Sequence, residues 1–170
     1  MPVPPAYQRL LNLIPLTKDI DALNPNNQQL GATAEVACSL VEIFASPHGK
    51  DSIDLPSDIV LLGNQGFVGA SVGKGLLERG LSFVGFDTKN GGQGVEFRPY
   101  CGTSPILACL NLEGAVRKAR IIVSATGCCG SITSSMLLGE SSQSLVPEKP
   151  NINLPRAKEL VVDVGFSKDP

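Results

Sequence analysis

The stretch from Ile59 to Gly69 constrains this chain more than any other. Four apolar residues, Ile59–Leu62, run straight into Gly63-Asn-Gln-Gly66-Phe-Val-Gly69. A short apolar run that ends in glycine reads as a strand buried on both faces, and such strands belong to parallel sheets. After it, Val68–Arg79 supports a helix in spite of Gly73 and Gly75, with Gly80 as its stop. Parallel neighbours need crossover connections, so further strands should alternate with helices or long loops. They do: Leu81–Phe86 reads as a second strand, Leu112–Ala119 as a helix, Arg120–Ser124 as a third strand and Leu160–Asp163 as a fourth, after a loop-rich stretch. Val95–Tyr100 is a candidate short strand within the segment Asn90–Asn111. Upstream, Thr33 suits the N-cap of a helix over Ala34–Phe44, whose apolar positions Val36, Leu40, Ile43 and Phe44 have helical spacing. Met1–Asn27 reads as a short helix followed by a loop. The expected class is α/β, a Rossmann-like three-layer domain with a mainly parallel sheet and helices on both faces.

At 170 residues the chain has room for one core. A net charge of -2 provides no basic field to hold nucleic acid or anionic lipid, so a small molecule or another protein is the expected partner. The longest apolar runs fall far short of the roughly 20 residues that span a bilayer. Met1–Tyr7 carries three prolines and no basic region before an apolar stretch, unlike a signal peptide. The expectation is a cytoplasmic protein without a membrane partner. Five cysteines (Cys38, Cys101, Cys109, Cys128, Cys129) form no C-x-x-C pair, and their odd number speaks for free thiols rather than a disulfide framework. His48 sits in a Pro/Gly linker, the vicinal Cys128-Cys129 lacks a nearby His or acid cluster, and Ser134-Ser135 lacks a nucleophile elbow. No metal site is expected.

Chemistry concentrates at the glycine turn. Glycines between a strand and a helix allow a tight bend, let the backbone approach a pyrophosphate, and let helix and strand pack closely; the phosphates then face free N–H groups at the helix start. Gly63, Asn64, Gln65, Gly66 and Gly69 are the candidate cofactor contacts. Asp87 follows 24 positions after Gly63 at the tip of the second strand, close to the offset at which an acid meets the adenosine ribose. A carboxylate there accepts from both ribose hydroxyls and repels a 2′-phosphate, which favours NAD over NADP. The competing readings are a strand-end turn former at Asp87, and Lys89 as the partner of a 2′-phosphate. Gly127 and Gly165 follow two more strands, and with Gly63 they outline one crevice along the carboxyl edge of the sheet.

Five motifs occur in a recognisable order: Lys18-Asp-Ile-Asp-Ala-Leu-Asn-Pro-Asn-Asn27, Thr33-Ala-Glu before a helix, Gly63-Asn-Gln-Gly-Phe-Val-Gly69, Ala119-Arg-Ile-Ile-Val-Ser-Ala-Thr-Gly127 and Val162-Asp-Val-Gly-Phe166. In order and spacing the chain resembles the FolD family of bifunctional methylenetetrahydrofolate dehydrogenase/methenyltetrahydrofolate cyclohydrolases, and specifically their C-terminal NAD(P)-binding domain with its hinge. The likeness runs from Pro2 to Pro170, interrupted by Asn90–Asn111, which looks like an insertion. It implies a hinge and folate-site segment over residues 1–32 and a nucleotide-binding domain over 33–170. It further implies Asp21 as the carboxylate that binds the pterin of the folate, with Asp19 and Lys18 organising the loop. Cofactor contacts would fall on Gly63, Asn64, Gln65, Asp87 and Phe166. A tetrahydrofolate derivative and a second copy of the chain are the implied partners.

The chain departs from the family at several positions. Asn64 and Gln65 stand where Arg and Ser are usual, Ser71 replaces a Pro, Ala22 stands for the signature Gly, and Gly31 and Ala34 replace two prolines flanking Thr33. Tyr7 is followed four positions later by Leu11 and Tyr100 by Ser104, so neither makes the family's Tyr-x-x-x-Lys pair, whose lysine serves the cyclohydrolase step. The expected activity is therefore NAD(P)-dependent dehydrogenation of 5,10-methylenetetrahydrofolate by a longer enzyme of which this is the cofactor domain, or a stand-alone remnant. The alternative from another class is a non-catalytic dinucleotide-binding module. A different Rossmann dehydrogenase would lack the Lys18–Asn27 signature.

Overall fold

The computed structural model describes residues 9–45, 58–88, 91–99, 106–107, 111–128, 131–138 and 160–164. Strands β1 (Ile59–Leu62), β2 (Phe83–Phe86), β3 (Gly94–Phe97), β4 (Ile106–Leu107), β5 (Ile121–Ser124) and β6 (Leu160–Asp163) form one sheet in the order β4-β3-β2-β1-β5-β6. The run β2-β1-β5-β6 is parallel, and β3 and β4 join antiparallel at one edge. The short connection over residues 87–93 leaves no room for a crossover, so β3 turns back on β2. Its Phe97 ring stacks on Phe83 with centroids 4.8 Å apart.

Strand β1 is buried along its whole length, as a strand paired on both sides and covered on both faces must be. Ile59 and Leu61 face one helical layer, made by α1 (Ala32–Ala45) and α2 (Phe67–Glu78). Val60 and Leu62 face the other, made by α3 (Leu112–Lys118) and α4 (Ser134–Leu138). This is the expected three-layer Rossmann-like α/β arrangement.

Several boundaries differ from expectation for identifiable reasons. Helix α1 starts at Ala32, because the Gly31 carbonyl already accepts from Glu35 N–H at 2.9 Å; Thr33 lies inside the first turn and is not the cap. Its buried face is Ala34, Ala37, Cys38, Val41 and Ala45, whereas Val36, Ile43 and Phe44 point outward at 60%, 62% and 38% exposure. The small residues win the interior because α1 and α2 approach closely: a Cβ on Gly75 would stand 2.7 Å from Cys38 Sγ. Strand β2 begins at Phe83 rather than Leu81, because Leu81 belongs to the end of α2. There Gly80, at φ +78°, donates to Leu77 O and Leu81 N–H donates to Leu76 O, the paired bonds of a Schellman stop. The two-residue β4 and the five-residue α4 were not expected. Among the described residues no helix is long and apolar enough to cross a membrane.

Candidate functional site

Strand β1 connects through α2 to β2 on one side, while its other neighbour is β5. Strand order reverses at this point, and the crevice beyond the carboxyl ends of β1 and β5 is where open parallel sheets bind ligands. The glycine turn lies there, and its three glycines do three different things. Gly63 takes φ +73°, a conformation L-residues rarely adopt, and donates to Phe86 O at 2.7 Å; a Cβ on it would stand 2.8 Å from Ala125 O. Gly69 packs α2 onto the turn, for its Cβ would fall 2.0 Å from Gly63 O. Gly66, exposed at the N-cap of α2, has no side chain to bond the first-turn amides, which are left to whatever enters the crevice.

Asp87, at the tip of β2, is brought to this turn. Its Oδ2 accepts from Gln65 N–H at 3.1 Å, and Thr88 Oγ1 donates to its Oδ1 at 3.4 Å. The carboxylate thus stands one residue from the start of α2's cap. Asn64 goes elsewhere: it is 8% exposed, and its amide lies over β2, where a Cβ on Gly85 would meet Cγ and Nδ2 at 2.7 Å. Its Oδ1 has no hydrogen-bond partner. Across the crevice, Gly127 turns at φ +62° in the loop after β5. Thr126 Oγ1 accepts from Cys128 N–H at 3.3 Å and bonds Ser131 Oγ at 2.6 Å, and Ser131 donates to Cys128 O at 2.6 Å. These bonds give the loop a defined shape. Phe166, Gly165, Lys89, His48, Cys101, Cys109 and Cys129 lie outside the described residues.

Asp21 is exposed at the rim of a cavity of about 240 Å³ lined also by Thr33, Phe67, Val68 and Ser71. Phe67 and Val68 are the first two residues of α2, so the Asp21 cavity adjoins the helix that the glycine turn opens. Sequence reasoning singled out Asp21 and the turn but not Phe67 as a wall between them; an aromatic 56% exposed at a helix start is visible only in three dimensions.

The loop that presents Asp21 is built on Asp19, which is 7% exposed. Its carboxylate accepts from Leu23 N–H at 2.8 Å, Asn24 N–H at 2.9 Å and Asn27 Nδ2 at 3.0 Å. Burial opposes its charge, but the bonds from Asn27, Asn24 and Leu23 prevail and hold its pKa below the ordinary value. Ala22 sits at φ +53°, and a Cβ on Gly31 would stand 2.6 Å from Asp21 O. Gly31 therefore lets α1 start directly beneath Asp21.

Fold and crevice together define a Rossmann-like α/β domain. Set against protein-family models, curated proteins and solved structures, the chain matches none of them.

Proposed function

We propose that the chain binds a nicotinamide dinucleotide at the β1–β5 crevice and acts as the cofactor domain of a FolD-type, NAD(P)-dependent methylenetetrahydrofolate dehydrogenase working in the cytoplasm. The observation that carries this reading is the junction of Asp87 with the turn: a carboxylate on Gln65 N–H, 3.1 Å away, beside a helix start whose cap bears no side chain. The residues suit the group. First-turn amides of α2 receive the diphosphate, Gly66 lets it come close, and the outer edge of Asp87 accepts from the ribose hydroxyls. That edge repels a 2′-phosphate, and Asn64, folded against Gly85, offers no cation in place of the family's Arg; NAD is favoured over NADP.

Bound NAD supplies the hydride acceptor at nicotinamide C4. The chain's part is orientation and exclusion of water. Asp21 accepts parallel bonds from the amino-pyrimidine edge of a folate. At about 240 Å³ the adjoining cavity lies below the ~300–1,000 Å³ of drug-sized sites, so it takes a ring system and not a whole folate. A folate, NAD and a second copy of the chain are the partners of this reading. Lacking the Tyr-x-x-x-Lys pair, the chain is expected not to hydrolyse the methenyl product. The second reading is a dinucleotide-binding module without catalysis.

Calorimetry with NAD+ and NADP+ tests the crevice, and Asp21→Ala separates the two readings. Loss of folate binding with NAD+ binding intact supports the dehydrogenase. Dinucleotide binding with no response to folate supports the module. Absence of heat with either dinucleotide refutes both.

A further inference from the structure

Phe67, the first residue of α2, serves two neighbouring spaces. Its N–H is one of the first-turn amides that have no partner within the helix, next to a cap, Gly66, that has no side chain to offer. Its side chain lines the Asp21 cavity. Val68, the next residue, packs against the core layer of α1 and α2, whereas Phe67 belongs to neither core layer among the described residues and stays 56% exposed. The ring is therefore not explained by the packing of the fold. In the lining of the cavity Asp21 is the one charged group, Thr33 and Ser71 supply hydroxyls, and Phe67 is the one aromatic ring.

We propose that Phe67 is the face on which a flat, amino-bearing heterocycle lies in this cavity, and that it determines the preference of the cavity for aromatic rings over saturated ones. The assignment rests on the reading of Asp21 as the acceptor for the amino-pyrimidine edge of a folate. A carboxylate that accepts two parallel N–H bonds holds such a ring by its edge, in the plane of the ring, and leaves both faces unsupported. A phenyl ring offset against one face supplies the missing contact and fixes the tilt. Both walls are held before anything binds. Phe67, Ser71 and Lys74 follow at intervals of four and three along one side of α2. Lys74 Nζ donates to Gln28 O at 2.7 Å, and Ala32 N–H donates to Ile20 O at 2.9 Å, so the loop that carries Asp21 is tied to α2 and to the start of α1. Ring and amide of Phe67 also belong to one residue, so a heterocycle on the ring and a diphosphate on the first-turn amides are both referred to the same helix end. Reaction between two bound molecules requires that kind of fixed relative placement.

The test uses the full chain without dinucleotide and pterin-6-carboxylate as the probe, followed by calorimetry and by the proton spectrum of the probe. The parent should bind it, with the ring proton at C7 moved upfield as over an aromatic face. Phe67→Leu keeps an apolar side chain and a good helix former; it should weaken binding ~3–10-fold and abolish the upfield shift, with circular dichroism and thermal unfolding as checks on the fold. Phe67→Tyr should restore both affinity and shift, and Asp21→Ala should abolish binding. Binding that depends on Asp21 but is the same in Phe67→Leu, lacks the upfield shift, or is not rescued by tyrosine overturns the role of Phe67 alone. A parent chain that does not bind the probe overturns it together with the reading of Asp21. Failure of the crevice to bind NAD+ is a separate result that these titrations do not share.

Discussion

Replacing Gly69 by alanine sets two known effects against each other, and the structure decides between them. In an exposed helix interior the change would gain about 0.8–1 kcal/mol of helix propensity. Here the new Cβ would stand 2.0 Å from the Gly63 carbonyl oxygen and 2.7 Å from its carbon. Neither atom can swing aside like a side chain: Gly63 is held by its N–H on Phe86 O at 2.7 Å, and its own carbonyl accepts from Gly66 N–H at 3.0 Å. Forcing a methyl group into such a space costs ~1–3 kcal/mol and occasionally more, and a backbone neighbour puts this case at the upper end. The net expectation is a loss of about 2 kcal/mol, or ~4–8 °C in Tm for a chain of this size. Gly73→Ala is the matched control, with the same gain in propensity but a ring atom, Phe83 Cζ, at 3.0 Å as its nearest neighbour. It should fall within about 1 kcal/mol of the parent. Urea unfolding followed by circular dichroism, with m unchanged, measures both. If Gly69→Ala unfolds at the parent's midpoint or above, or matches Gly73→Ala, the close approach of α2 to the turn is refuted.

Asp19→Asn should destabilise the chain at neutral pH. A carboxyl held below its usual 3.8 in the folded chain contributes stability above that value and loses it as pH falls through the folded pKa, so the difference between variant and parent should shrink in acid titrations of stability. Arg79→Met removes the bonds to Glu35, Glu42 and Gly75 O; these are partly exposed pairs, so a loss of about 1 kcal/mol that diminishes with added salt is expected from unfolding midpoints. Cys38 is fully buried, its Sγ donates to Val72 O at 3.4 Å, and burial pushes its thiol up to about 11. Alkylation near pH 8 should mark the exposed Cys128 and spare Cys38 until the chain unfolds, as read by mass mapping. Ala22→Gly relieves a left-handed alanine whose strain is ~1–2 kcal/mol, offset in part by the freer unfolded chain; a midpoint equal to or above the parent's is expected.

What could be read from the sequence was local. Strand β1, the glycine turn and the stop at Gly80 each depend on neighbours within a few residues, and the strand came out at the expected bounds. Leu81 misled because an apolar residue before a strand looks like strand, while its N–H is already committed to Leu76 O. Segments as short as β4 and α4 carry no period to detect. The meeting of Asp21 with Phe67 and Ser71, on opposite sides of α1 in the sequence, is long-range and leaves no local trace.

The most instructive difference is the register of α1. Two stripes with helical spacing run along it, one of small residues and one of large, and hydrophobicity alone assigns the large one to the core. Distance assigns it the other way. With Gly75 so near that a Cβ on it would stand 2.7 Å from Cys38 Sγ, the face toward α2 takes the small Ala34, Ala37, Cys38 and Val41, and any rotation that buried Ile43 would push the helices apart and open the layer over Ile59 and Leu61. The large stripe is therefore outside as a consequence of how the inside packs. If so, Gly75→Leu should loosen the α1–α2 layer and expose Cys38 to alkylation, while leaving residues on the α3 face, such as Val116 and Ile122, as protected from hydrogen exchange as before. Loss of protection on both faces at once would mean that the two layers do not pack independently, and that the choice of register in α1 cannot be attributed to its contact with α2.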